Sequence, residues 1–541
     1  MRSLVSLVCC LLVCMAVGLP VATGQASSAA TPTTVPSEPS IHAVYPDPVE
    51  GGDEGEFVVL AVPDGTELGQ YAITDGDSTA GVPNTTASGR VVLSTAPNRT
   101  RTLTDWPVVG LDGHLALANS GERIGIQRDN RTVDAVRYGD SIEGELGVVN
   151  GSVIRWRPLG ATDRPVVRAG GGEVRTFTLP DAPAAPLQPI RNADDRVYVA
   201  GYTLSSSRVA DALVAADRRG VTVRVLLEGE PVGGRTAAEA ETLDRLTEAG
   251  ISVRMLTGPR TRYRYHHAKY AVADRQAVVL TENWKPAGTG GNSSRGWGVI
   301  TSQPQVVDGL NQTFQSDAGW QDSVYWEEYR QGRQFERGEP ATGAYPTEFQ
   351  TTSVTVQRTD LLVTPDNAQR ELVATVDNAD DSIDVIQPTV GNWDSPLLRS
   401  LRRAASRGVE VRLLLSDAWY VREENERTMQ RFREWSERND APLTAKLAEP
   451  DGRYEKIHAK GAVIDDQRVV VGSLNWNEQA ATSNREVVLV LHGSDAADYF
   501  GAVFDADWEA GGFDTPVGVI VAVFGVLVVA GLAARRVSFE T

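Results

Sequence analysis

One long-period repeat limits the folds open to this chain more than any other feature. VYVAGYTL followed by SRVADALVAADRRGVTVRVLLEG, starting at Val197, recurs as IDVIQPTV followed by SPLLRSLRRAASRGVEVRLLLSD, starting at Ile383. In each copy a short apolar run reads as a strand, and the next segment repeats its apolar residues at three- and four-residue spacing, as a helix packed on one face does. Both copies continue with a charged helix (AAEAETLDRLTEAG; ENERTMQRFREWSERN), a short strand and an H-x-K segment. Alternating strands and helices in a duplicated unit predict an α/β fold with a mostly parallel or mixed sheet, its halves related by a pseudo-twofold axis.

The chemistry sits at the end of each copy, in HHAKYAVADRQAVVLTENW (His266 to Trp284) and IHAKGAVIDDQRVVVGSLNW (Ile457 to Trp476). In extended chain, residues i and i+2 share a face, so His267 with Lys269 and His458 with Lys460 each project as a pair. Brought together, the pairs can hold a phosphate: the ammonium groups neutralise it, one imidazole attacks and the other serves as acid and base. The motifs use two of six histidines and two of only five lysines (Lys269, Lys285, Lys446, Lys456, Lys460), the other 47 of 52 basic residues being arginine. A cation as the same-face neighbour of each histidine argues against a metal, and no cofactor is called for. Asp274 and Asp465 fall at odd offset just before a tight turn, which suits bracing the hairpin more than touching phosphate. His266 aligns with Ile457 and reads as a packed neighbour, and Trp284 and Trp476 as core aromatics at strand ends.

HxKxxxxD twice, with GSxN after the second copy and an S-N-R-E run (Ser483 to Glu486) beyond it, resembles the phospholipase D superfamily over residues 190 to 510. The resemblance implies metal-independent, two-step phosphoryl transfer through a phosphohistidine, with His267, Lys269, Asp274, His458, Lys460 and Asp465 as the catalytic set. It implies supporting roles for Asn283, Ser473, Asn475 and Glu486, with Glu486 hydrogen-bonded to the second ring nitrogen of His458. The first half departs from the pattern. TEN (Thr281 to Asn283) replaces GSLN with one residue deleted, Gly296 stands where alignment puts Glu486, and the carboxylate expected to orient His267 is missing. Glu282 or Asp274 could substitute. The family's usual order makes His267 the nucleophile.

Upstream, residues 41–176 carry short β-type runs (EFVVLAV, GRVVLST, HLALAN, ERIGIQ, VDAVRYGD) between Gly, Asn and Asp turns, a β-sandwich pattern. GEFVVLAV, LGQYAITDGD and LALANSGERIGIQRDNRTVDAVRYGD resemble a lamin-tail domain, which implies an immunoglobulin-like accessory module. Residues 177–190 read as a Pro/Ala linker, 191–345 and 346–512 as the two halves, and 25–40 as a flexible spacer.

Both ends point to export. Residues 1–24 combine Arg2, an apolar run and small residues, as a signal peptide does, and hold all three cysteines, which excludes disulfides from the mature protein. Residues 516–534 form an uncharged apolar stretch followed by Arg535 and Arg536, which predicts a single membrane-spanning helix with 535–541 in the cytoplasm and the rest outside. A net charge of −19 with few lysines resembles haloarchaeal surface proteins.

The expected fold is therefore α/β: two duplicated phospholipase D-like α/β sandwich halves, preceded by an all-β sandwich and followed by a transmembrane helix. Three functions fit it. They are a membrane-tethered phosphodiesterase acting on phospholipids outside the cell, an extracellular nuclease using the same site, with RTRYRYHH (Arg260 to His267) against a phosphate backbone, and a non-catalytic surface binding protein.

Overall fold

The computed structural model describes residues 37–49, 54–338 and 341–510. The segments expected as signal peptide (1–24) and membrane-spanning helix (516–534), and most of the expected spacer, lie outside the described residues, among which no helix is long and apolar enough to cross a membrane.

Two sheets make up the N-terminal module. One has six strands, in the order Val153–Pro158, Glu145–Asn150, Ser40–Tyr45, Phe57–Glu67, Thr86–Ser94, Val108–Gly110; the other has four, Thr79–Gly81, Tyr71–Thr74, Arg123–Arg128, Arg131–Arg137. Alternate residues such as Val58, Leu60, Ile73, Val91, Leu93, Ile124 and Ile126 fill the core between them. The HLALAN run forms no strand. Its alternation still buries Leu115 and Leu117, but carboxylates take its N–H groups: Asp75 from Ala116, Glu56 from Leu117 and Glu122 from Ala118.

The rest is organised by one sixteen-stranded sheet. From its midline outward, the first half runs Val167–Leu179, Ser294–Thr301, Gln276–Leu280, Tyr270–Ala273, Arg196–Gly201, Thr222–Glu228, Ser252–Leu256. The second half repeats that order with Thr352–Val363, Val487–His492, Arg468–Gly472, Gly461–Ile464, Ser382–Gln387, Glu410–Leu415, Leu443–Leu447. Val167–Leu179 and Thr352–Val363 pair antiparallel with each other at the pseudo-twofold axis. Equivalent helices Pro304–Ala318 and Ser494–Glu509 pack on the cluster shared by both halves, which includes Phe314, Trp297, Tyr454, Ile457 and Phe500.

Two sequence boundaries need correction. Val167–Leu179 belongs to the central sheet, so the sandwich ends at Pro158 and the first half begins near 167 rather than 191. Residues 177–190 are not a free linker, because Leu179, Ala185, Leu187 and Ile190 are buried against the first half's strands and helices. Burial of these apolar side chains outweighs the entropy of ordering the segment, a cost that its prolines reduce by restricting the unfolded chain.

Candidate active site

The histidine-bearing segments are held by the opposite halves. His266 bridges in parallel to Arg485; the Arg485 N–H donates to Tyr265 O at 2.9 Å and the His267 N–H donates to Arg485 O at 2.9 Å. Reciprocally, Lys456–Ile457 pairs with Ser294–Arg295, and the His458 N–H donates to Arg295 O at 3.0 Å. Each arginine is fully buried and anchored in a matching way. Arg485 meets Asp317 at 3.0 Å and lies 4.2 Å over Tyr263; Arg295 meets Asp507 at 2.9 Å and Asp181 at 2.5 Å and lies 4.6 Å over Tyr454. Asp317 and Asp507 sit on the two equivalent helices, so both catalytic segments are pinned by the same device. Such a buried charge is tolerable only with its partners in place.

This cross-pairing decides which carboxylate serves which imidazole. Glu486 lies beside His267, with its two oxygens 2.9 and 3.0 Å from Nδ1. It does not reach the ring of its own half's His458, as the sequence had suggested. His458 Nδ1 instead lies 3.2 Å from Glu282 of the first half. In the first half Leu280 pairs with Gly298, which sets Glu282 opposite Gly296; in the second, Gly472 pairs with Val488, which sets Leu474 opposite Glu486. The missing carboxylate has thus moved across one cross-strand pair. A Cβ at Gly296 would stand 2.3 Å from Glu282 Cγ, so the glycine is what makes room for it.

The deleted residue is also relocated. Thr281 Oγ1 accepts the Trp297 N–H as Ser473 Oγ accepts the Val487 N–H, which makes Thr281 the counterpart of Ser473. The shortening lies in the hairpin turn, two residues (Asp274, Arg275) in the first half and three (Asp465, Asp466, Gln467) in the second.

The hydrogen bonds to Glu486 hold Nδ1 of His267 and leave its Nε2 for the site, whereas His458 Nδ1 is near Glu282 without a hydrogen bond to it. The His267 side chain is 13% exposed and that of His458 21%, while Lys269 and Lys460 are buried. The two ammonium groups donate to the carbonyls of His267 and His458, each at 2.6 Å. Burial lowers the His267 pKa to about 4, against the pull of Glu486, and with the help of Lys460 and Lys269 holds His458 well below its ordinary value. Burial likewise depresses both lysines, Lys460 to about 8. The carboxylates differ: burial raises Glu282 to about 7 despite the nearby lysines, whereas in Glu486 burial is outweighed by His267 and Lys269 and the pKa falls. The result is two neutral imidazoles over two buried amines, a cradle whose cations a phosphate would stabilise.

Asp274 and Asp465 stand at the opposite end of their strands from this cradle. Asp274 accepts the N–H groups of Asp194, Asp195 and Arg196 at 2.7 to 3.0 Å, and Asp465 those of Asp380, Asp381 and Ser382 at 2.8 to 3.2 Å. They brace the hairpin away from the cradle and do not belong to the catalytic set. Asn283 and Asn475 follow the hairpins with Oδ1 buried and unpartnered. Trp284 and Trp476 are buried, and Trp284 Nε1 donates to Ala200 O. His266 is buried 3.6 Å from Asp317. Sequence reasoning missed Arg295, Arg485 and Asn484, whose amide donates to Glu486 at 3.0 Å. It also missed Tyr202, whose ring meets His267 edge-on at 4.9 Å. Only the S-N-R-E run carried a signal for any of these.

A family profile described as "Cardiolipin synthase, PLD-like domain" matches residues 187–318 and 372–508, one copy over each half of the site. The chain belongs to the phospholipase D superfamily. Among curated members of this superfamily, mitochondrial cardiolipin hydrolase of Mus musculus is 38% identical over 53 residues, 10% of this chain and 24% of that protein. The Homo sapiens protein gives the same identity over 21% of its length, so the match spans about a quarter or less of these relatives. Phosphatidylserine synthase of Haemophilus influenzae is 13% identical with TM-score 0.47, covering 66% of this chain and 94% of that one. The phospholipase D family member Nuc from Salmonella typhimurium is 19% identical with TM-score 0.26, covering 29% and 98%.

Proposed function

We propose that this protein is a phospholipase D-like phosphodiesterase that acts on phospholipids outside the cell through a phosphohistidine on His267. The observation that carries the mechanism is the pair of unequal carboxylates. Ionised Glu486 holds His267 with Nε2 as a lone-pair nucleophile. Glu282, which exchanges its proton near neutrality, backs His458, suited to protonating the departing alcohol and then activating water. Lys269 and Lys460, with the amides of Asn283 and Asn475, would neutralise and orient the phosphoryl oxygens.

The lipid assignment is supported at the rim of the site. Equivalent loops after strands Thr222–Glu228 and Glu410–Leu415 expose apolar side chains, Val232 (74%) and Trp419 (88%). The Val232 N–H donates to the Tyr202 hydroxyl beside His267, and Tyr420, next to Trp419, lies 5.4 Å from Lys456 Nζ, two residues before His458. Apolar residues on both flanks of a catalytic mouth suit a bilayer surface. The signal segment and the apolar 516–534 stretch fit the same placement. The test is head-group release from phospholipid vesicles by the full chain in high salt; cleavage of DNA with no head group released would overturn the reading.

A nuclease is the second reading. It is favoured by a groove of about 670 Å³ between the sandwich and the catalytic body, where Arg155, Trp156, Arg157 and Arg264 share the lining with Glu145, Asp163 and Asp366. Arg262 of the RTRYRYHH run is unavailable to nucleic acid because it is buried against Asp322 at 2.8 Å.

A further inference from the structure

The buried anchor under His267 contains a residue that belongs to neither catalytic half. Thr162 lies in the short segment that leaves the N-terminal sandwich after Pro158. Its Oγ1 accepts a hydrogen bond from Arg485 Nη2 at 2.6 Å and donates to Asp366 Oδ2 at 2.7 Å. The Arg164 N–H donates to the same Asp366 oxygen at 3.0 Å, and the Arg164 carbonyl accepts from Asn367 Nδ2 at 2.9 Å. Arg164 Nη2 donates in turn to Gln312 O on the helix Pro304–Ala318 at 2.6 Å. The segment is thus strapped to both halves at once.

The pseudo-twofold carries an equivalent strap that is closed differently. Thr347 precedes Thr352–Val363 by the interval at which Thr162 precedes Val167–Leu179, and each strand is followed by a Pro-Asp step, with Asp181 after the first and Asp366 after the second. Asp181 accepts the N–H groups of Glu348 and Phe349 at 2.7 and 2.9 Å and pairs directly with Arg295 at 2.5 Å. Asp366 stands 3.6 Å from Arg485, and the Thr162 hydroxyl is bonded to both. An ion pair within the catalytic body closes the His458 anchor; a hydroxyl from the sandwich junction closes the His267 anchor.

The sandwich seats this strap. The Leu159 N–H still donates to Gly144 O of the sandwich at 3.0 Å, so Gly160 and Ala161 alone connect that contact to Thr162. Gly160 takes a φ of 80° against the Trp320 ring, where a Cβ would come within 2.2 Å of Trp320 Cζ2. Beside it the Gln321 amide donates to Thr102 O of the sandwich, and Arg262 lies 5.6 Å from the Trp320 ring while pairing with Asp322. The sandwich therefore rests on the turn that follows Asp317, the carboxylate under Arg485.

We propose that Thr162 is a positioning residue for phosphoryl transfer, through which the docked sandwich holds His267 in line with the phosphorus. This rests on the reading of His267 as nucleophile. The Arg485 carbonyl accepts the His267 N–H and the next residue, Glu486, holds its Nδ1, so a shift of Arg485 displaces backbone and ring together. In-line attack forms the bond from His267 Nε2 to phosphorus as the bond to the departing oxygen breaks, and a displacement of about 1 Å slows such a step by up to roughly 100-fold. Affinity for the phosphate is shared with Lys460 and Asn475, on segments that the strap does not touch, so the rate falls more than the affinity.

First-turnover release of p-nitrophenolate from bis(p-nitrophenyl) phosphate in the His458→Ala background reads attack by His267 and needs no lipid. Thr162→Val keeps the shape of the side chain and removes both hydrogen bonds. It should lower the first-turnover rate constant by about tenfold and change the half-saturating concentration by less than about twofold, and Thr162→Ser should restore the rate. Gly160→Ala, which lifts the strap off Trp320 and keeps the Thr162 hydroxyl, should slow the same step by roughly threefold or more. Thermal melting reports stability separately. A lower Tm with an unaltered rate constant in either folded variant, or a Thr162→Ser protein as slow as Thr162→Val, overturns the proposal. A His458→Ala parent that releases no p-nitrophenolate overturns the His267 reading together with it, whereas equal rates in a competent parent and its variants overturn the strap alone.

Discussion

Glu486, carried by the second half of the catalytic unit, lies 2.9 Å from Nδ1 of His267 in the first half. Neither half is a complete site, since each histidine depends on a carboxylate from the other. The exchange is uneven, because Glu486 directly precedes the strand Val487–His492 next to the axial pair, whereas Glu282 follows the hairpin strand Gln276–Leu280.

That unevenness is reversible by substitution. Glu282→Leu should lower kcat by about 10- to 100-fold, as loss of an orienting partner does. Glu282→Leu combined with Gly296→Glu copies the Leu474/Glu486 arrangement and should recover most of the loss, because truncating Glu282 vacates the space a side chain at 296 needs. Gly296→Glu alone should fold poorly. Steady-state kinetics on the three variants checks this, and failure of the double variant to exceed the single one would count against the swap.

The pH dependence of kcat/KM reports the free enzyme. His267 must be neutral to attack, so the acid limb should fall near its pKa of about 4. The proton His458 delivers is held with Glu282, so the basic limb should appear near the Glu282 pKa of about 7, below that of Lys460 at about 8. Lys460→Arg should leave both limbs in place, whereas Glu282→Leu should shift the basic limb and leave the acid limb where it is.

Glu282 also couples stability to pH. Its folded pKa, about 7, lies above the ordinary 4.5, so the folded state holds this proton more tightly than the unfolded one. Its contribution is present below pH 4.5 and is lost as pH rises through 7. At about 1.4 kcal/mol per pKa unit, the loss is on the order of 3 kcal/mol. Glu282→Gln should therefore melt higher than wild type at pH 8 and close to it at pH 4.5, while losing activity; chemical denaturation at the two pH values reads this directly.

The buried arginine anchors are expected to be structural. Asp317→Asn leaves Arg485 and Arg262 without their shared carboxylate and should cost about 3–5 kcal/mol of stability. Asp507→Asn, at the equivalent place under Arg295, should cost a similar amount.

The repeat, both His–Lys pairs, the bracing role of Asp274 and Asp465 and the all-β character of the N-terminal module were legible because each follows from local periodicity or parity. The partner of each histidine was not. Sequence alignment compares a residue with its counterpart in the other copy, whereas Glu282 replaces a residue across a hairpin, a relation set by the Leu280–Gly298 register. That the two segments cross between halves depends on Arg295 and Arg485, whose partners Asp507 and Asp317 lie far away in the chain. The strand Val167–Leu179 was assigned to the wrong module because its Gly-rich start, AGGGE, interrupts the apolar pattern.

The account turns on His267 as nucleophile and His458 as acid and base. His458→Ala should leave a substrate with a good leaving group, such as bis(p-nitrophenyl) phosphate, able to phosphorylate the protein but unable to release it. Intact-mass and peptide mapping after mixing at neutral pH should then find one p-nitrophenyl phosphoryl group on His267, with one p-nitrophenolate released, and none in His267→Ala. An adduct on His458 in the His267→Ala protein, with none on His267 in His458→Ala, would contradict the assignment.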